Sequence, residues 1–83
     1  MRPPTKRQLE VLRFIDEFER EHRYAPSYFD LCEALGIASK MGVSDHLRAM
    51  RKKGIVDWRP GSNRTVHVTA KGLAELQKES EES

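Results

Sequence analysis

Cysteine is nearly missing from this 83-residue chain: Cys32 stands alone, so no disulfide can form within it. Long apolar runs are missing too, and nothing approaches the roughly 18 residues that a membrane span requires. The opening stretch, MRPPTKRQ, has no hydrophobic middle of the kind a secretory signal carries. Together these absences point to an intracellular, cytoplasmic protein with no membrane partner. His22, His46 and His67 are far apart, and neither CxxC nor HxxxH spacing occurs, so no metal site is expected. Paired carboxylates and a glycine-rich phosphate loop are lacking as well. Ser27 and Ser39 explain themselves as helix caps, which leaves no catalytic residue, no cofactor and no enzyme reading. No repeat and no linker divides the chain, so residues 1–83 read as one domain with a modest core.

Charge is plentiful but uneven. The net +2 combines 14 basic and 9 acidic residues over 1–74 with one lysine and four glutamates over 75–83. Within 40–71 there are 8 basic residues and only Asp45 and Asp57 against them. Such a concentration suits a polyanionic partner, a scattered solvated surface being the plain alternative.

Thr5-Lys-Arg-Gln8 forms a capping box, followed by Val11, Leu12, Phe14, Ile15 and Phe18 on one side of a helical wheel. This first helix ends near His22, before Ala25-Pro26. Ser27 caps a short second helix whose Tyr28, Leu31, Cys32 and Leu35 face a core, with Cys32 as a small apolar side chain, and Gly36 stops it. Only Ile37 and Ala38 intervene before Ser39 caps a third helix, which turns Val43, His46, Leu47 and Met50 inward. The opposite side carries Met41, Asp45, Arg48 and Lys52 and is free for a partner. His46 reads as a packed or capping histidine. Gly54 ends the helix after Arg51-Lys52-Lys53, cations at the negative end of its dipole. Residues 55–59 and 64–68 then read as two strands around the turn Pro60-Gly61-Ser62-Asn63, with Trp58 as a core or edge aromatic. Thr69 caps a last helix with Leu73, Ala74 and Leu76, and residues 77–83 read as a frayed acidic tail.

The predicted fold is mainly α with a small β-hairpin: a winged helix-turn-helix of three helices, a wing and a short C-terminal helix. The arrangement has a physical logic. An α-helix fits the major groove of B-DNA, where each base pair presents a distinct pattern of donors and acceptors. A hairpin can reach the neighbouring backbone or minor groove, and basic residues neutralise phosphates.

The sequence also resembles the amino-terminal DNA-binding domain of the LexA repressor family. The resemblance rests on T-K-R-Q-x-E-V at Thr5–Val11, Pro26-Ser27, Leu35-Gly36 and Ser39, then H-L-x-A at His46–Ala49, Lys53-Gly54 and Arg64. It runs without a gap over residues 5–69. It implies a winged helix that represses transcription by binding operator DNA as a dimer, with helix 39–53 in the major groove and wing 55–68 alongside. By position it assigns base reading to Ser39, Met41, Gly42, Ser44 and Asp45. Lys40, Arg48, Lys52, Lys53, Arg59 and Arg64 are the expected contacts to the DNA backbone. The chain departs from the family at Lys40-Met41-Gly42, where the usual pattern is proline, asparagine, alanine. Asparagine can bond adenine in bidentate fashion and methionine cannot, so the resemblance does not fix the operator sequence.

Full repressors of this family carry a self-cleaving serine–lysine protease domain that also makes the dimer. Without one here, the expectation is a small complete regulator, bacterial or phage-encoded and associated with the nucleoid, that pairs as a homodimer on double-stranded DNA. The alternative is a winged-helix module that binds another protein through its third helix or acidic tail.

Overall fold

The first helix starts where its capping box places it. In the computed structural model, which describes residues 3–59 and 65–82, the Gln8 N–H donates to Thr5 Oγ1 and the Thr5 N–H to Gln8 Oε1, both at 3.1 Å. Helix α1 spans Lys6–His22, burying Val11, Leu12 and Ile15 while Phe14 and Phe18 stay half-buried at the rim. Phe18 packs against the rings of His22 and Tyr24, at centroid distances of 4.2 and 5.6 Å. Arg23 ends the helix in the left-handed region.

A second reciprocal box, Ser27 with Asp30, opens α2 (Tyr28–Leu35), which buries Leu31 and rests Tyr28, Cys32 and Leu35 against the core. Gly36 follows at φ 67°, the conformation that lets the chain turn after three more residues into α3 (Lys40–Lys52). Ser39 caps α3, its Oγ accepting the Gly42 N–H at 3.3 Å. Val43, Leu47 and Met50 are buried, whereas His46, expected inside with them, is only half-buried.

The wing is a two-stranded antiparallel ladder, β1 (Val56–Asp57) with β2 (His67–Val68), in the register Val56 to Val68 and Asp57 to His67. It is shorter than the strands expected over 55–59 and 64–68. Beyond the ladder a side chain takes over: the Arg59 N–H donates to Thr65 Oγ1 at 2.9 Å instead of to a backbone carbonyl. The turn expected at Pro60-Gly61-Ser62-Asn63, and Arg64, lie outside the described residues.

Thr69 joins wing to last helix. Its hydroxyl donates to the Gly54 carbonyl at 2.6 Å and accepts the Gly72 N–H at 3.1 Å, capping α4 (Ala70–Glu82). The helix runs as far as Glu82, and Glu79 pairs with Arg13 of α1 at 2.6 Å. The hydrogen bond and charge of Glu79 push the Arg13 guanidinium further above its ordinary value. Helix α1 packs against α2, β2 and α4, while α3 packs against α2 and β1. One core results, from Val11, Leu12, Ile15, Ala25, Leu31, Val43, Leu47, Met50, Ile55, Val56 and Val66. Among the described residues no helix is long and apolar enough to cross a membrane.

Candidate nucleic-acid interface

The pattern of α3 divides it into two faces because 3.6 residues make a turn. Val43, Leu47 and Met50 hold it to the core, so Met41, Ser44, Asp45, Arg48 and Lys52 form a stripe on the other side. Met41, Asp45, Arg48 and Lys52 are exposed and Ser44 is half-exposed. At the first turn of this face Met41 is 73% exposed among the described residues. The stripe is a helix face of about three turns, long enough to lie in a major groove.

Its charges are arranged to be released. Arg48 pairs with Asp45 at 2.6 Å, with both side chains largely exposed. Such a surface pair contributes at most about 1 kcal/mol, so either member can exchange it for a contact with a base or a phosphate. Lys40 and Lys52 are exposed and carry no ion pair among the described residues. Arg59 is exposed at the end of the wing strand.

Three of the expected contact residues also hold posts within the protein itself. Lys53 donates through Nζ to Gln8 Oε1 at 2.6 Å and to the Pro3 carbonyl at 3.2 Å. As the C-cap of α3 it lies over the start of α1, where its ammonium completes the capping box instead of facing outward. Gly42 points at the helix-turn-helix corner. A Cβ there would come 2.8 Å from Ile37 Cγ2, so the glycine permits close approach of turn and helix. Ser39 likewise holds a structural post as the N-cap.

Arg51 has a place that its membership of a basic run did not reveal. Its Nε lies 2.9 Å from Asp57 Oδ1, and its guanidinium covers the Trp58 ring at 4.6 Å from the centroid. Asp57 Oδ1 also accepts the Trp58 N–H at 2.8 Å. Arg51 thereby links the end of α3 to the wing. Arg7 does the same for the helix-turn-helix, donating from α1 to the Leu35 carbonyl at the end of α2. Both contacts join elements that adjacent-residue patterns treat separately. Arg51 carried only the sequence signal of a cation at the end of a helix dipole, and Arg7 none beyond its place in the first turn of α1.

Comparison with known proteins agrees with this geometry. The LexA DNA binding domain family matches residues 1–65. A LexA repressor of Anaeromyxobacter dehalogenans is 44% identical over 66 residues, 80% of this chain and 29% of the relative. A LexA repressor of Pseudomonas aeruginosa is 31% identical over 68 residues, 82% of this chain and 33% of the relative. The chain thus spans about 29% of the length of the first of these relatives. Among solved structures, the M. tuberculosis transcriptional regulator MosR aligns with a TM-score of 0.69 at 27% identity, over 89% of this chain and 51% of MosR. With its four helices, short wing and outward third helix, the chain belongs to the LexA family of DNA-binding domains.

Proposed function

We propose that this domain represses transcription by sequence-specific binding to double-stranded DNA, with α3 in the major groove and the wing against the adjacent backbone or minor groove. The observation that carries the reading is the uncovered stripe of α3, Met41, Ser44, Asp45, Arg48 and Lys52, directly opposite the side chains that hold the helix to the core. Ser44 and Asp45 are base readers in this proposal, and Lys40, Arg48, Lys52 and Arg59 contact phosphates. Selecting bound duplexes from a random pool tests it. Asp45 can accept from a cytosine amino group and Ser44 from or to several edges. Asp45→Ala and Ser44→Ala should therefore change the preferred bases without lowering thermal stability. An unchanged preferred site in both variants contradicts the assignment.

Salt dependence separates the lysines. Each neutralised phosphate contributes roughly −0.9 to the log–log slope of affinity against salt. Lys52→Met should reduce that slope by about one and leave melting unchanged. Lys53→Met should leave the slope alone and lower the melting temperature, because its partner Gln8 Oε1 is buried. Equal effects of the two on the slope would return Lys53 to the DNA side.

The functional unit on DNA is a homodimer in this proposal. One module reads few base pairs, and each mismatch costs only about 1–3 kcal/mol, so two copies on a two-fold site sharpen discrimination. Leu73, exposed on α4 beside Leu76 and Gln77, is the candidate contact; Leu76 itself rests on the subunit's own core. Mass measurement of the protein on a selected duplex should give two copies and the site should be a palindrome. One copy at saturation on an asymmetric site contradicts it.

A protein-docking role has one observation in its favour. Phe29 on α2 is 66% exposed and Met41 73%, both large apolar side chains on the helix-turn-helix. A winged helix that binds a protein through them would show flat, weak DNA binding with no preferred sequence.

A further inference from the structure

We infer that Met41 reads the C5-methyl group of a pyrimidine in the major groove. The inference rests on the proposal that α3 enters that groove. On the helical wheel Met41 lies at the centre of the outward stripe, with Ser44 to one side and Asp45 to the other, and Val43 and Met50 lie almost opposite. It occupies the second position of the helix, and the N-terminal residues of a recognition helix are those that meet base edges. At 73% exposure its side chain makes little contact with the rest of the chain, so docking would take most of it out of water for the first time.

What it meets there decides the energetics. Base edges in the major groove present carbonyl oxygens, ring nitrogens and amino groups, each hydrated before binding. A thioether is only a weak acceptor and can replace none of those waters well. Placing Met41 over such an edge strips a polar group without a substitute, which is unfavourable. One apolar group is available in that groove, the methyl at C5 of thymine. The same methyl occurs on 5-methylcytosine. Burying it against the flexible Met41 side chain is favourable by the ordinary hydrophobic effect, and methionine adapts its rotamers to such a surface. Met41 is thus a specificity-determining residue whose information is the presence of a methyl group, not a hydrogen-bond pattern.

The test begins with a site selected from an unmodified random duplex pool. Each thymine in the half-site is then replaced singly by deoxyuridine, which removes the methyl and keeps every hydrogen-bonding group. At one position the replacement should weaken binding roughly fourfold, the equivalent of one buried methyl. Placing 5-methylcytosine at that position should bind roughly fourfold tighter than unmodified cytosine there. A selected pool with thymine at the position identifies thymine as the source of the methyl. A pool with cytosine there, improved on methylation, identifies 5-methylcytosine. Met41→Gln, similar in size and at an exposed position, should bind the thymine and deoxyuridine duplexes with equal affinity, whatever its overall affinity. Its melting temperature, equal to that of the parent, shows that the fold is intact. If the parent protein chooses its site but ignores every methyl, or if Met41→Gln keeps the full methyl effect, the inference is overturned and the placement of α3 stands. Loss of all sequence preference in the parent overturns both.

Discussion

Leu47→Ala should lower the stability of this domain by about 2–5 kcal/mol, the cost of removing a fully buried leucine and leaving a partly collapsed cavity. Leu47 is inaccessible to solvent on the inner face of α3, in the core that also contains Leu12, Ile15, Leu31 and Val56. A domain of this size has a total stability of roughly 4–12 kcal/mol, so one truncation removes a large share of it. The melting temperature should fall on the order of 10–30 °C. Leu47 does not reach the outward stripe, so the folded fraction should keep the same preferred DNA sequence at low temperature. Thermal melting followed by circular dichroism, with binding measured well below the transition, checks both halves. A loss below 1 kcal/mol would mean that α3 is held by something other than this core.

The contrast between Leu47 and Met41, six residues apart on one helix, shows why the two faces of α3 were legible in the sequence. Apolar residues at 43, 47 and 50 set the buried side by periodicity alone, and the outer side follows from geometry. Met41, Asp45, Arg48 and Lys52 lie on the exposed side as that pattern requires. Helix starts were equally legible, since Thr5, Ser27, Ser39 and Thr69 each accept the N–H three residues ahead. These are local signals, confined to one turn of chain, and local chemistry decides them.

Where the reading departed from the structure, the deciding contact spans many residues. Lys53 looked like one more cation in a basic run, but its partner Gln8 is 45 residues away. The resemblance placed Gly42 among the base readers, and the crossing of α2 and α3 brings Ile37 against it. The strands were expected over 55–59 and 64–68, but the Arg59 N–H meets the Thr65 hydroxyl where a ladder bond would lie.

Gly72 is the residue whose importance was least legible, and Gly72→Ala tests it with a clear sign. Alanine is intrinsically better than glycine inside a helix by about 1 kcal/mol, so an open site would gain stability. Here the helix lies directly on the wing. A Cβ at residue 72 would collide with the Ile55 carbonyl oxygen and come 2.7 Å from Val68 Cγ1. Neither obstacle moves easily. The Ile55 carbonyl accepts the Thr69 N–H at 3.1 Å and the Ile55 N–H donates to the Met50 carbonyl at 3.1 Å, so that peptide is held from both sides. Val68 is fixed by its pairing with Val56. The collision involves backbone and must therefore push α4 away from the wing, an overpacking cost at the upper end of its range, about 2–3 kcal/mol, that exceeds the gain in helix propensity. The expected result is a net loss of about 1–2 kcal/mol, or roughly 5–15 °C in melting temperature. Adding Val68→Ala should relieve the side-chain collision but not the one with the backbone, so the double variant should remain below Val68→Ala alone. A melting temperature that rises in Gly72→Ala, as propensity by itself dictates, would show that α4 does not sit this close to Ile55.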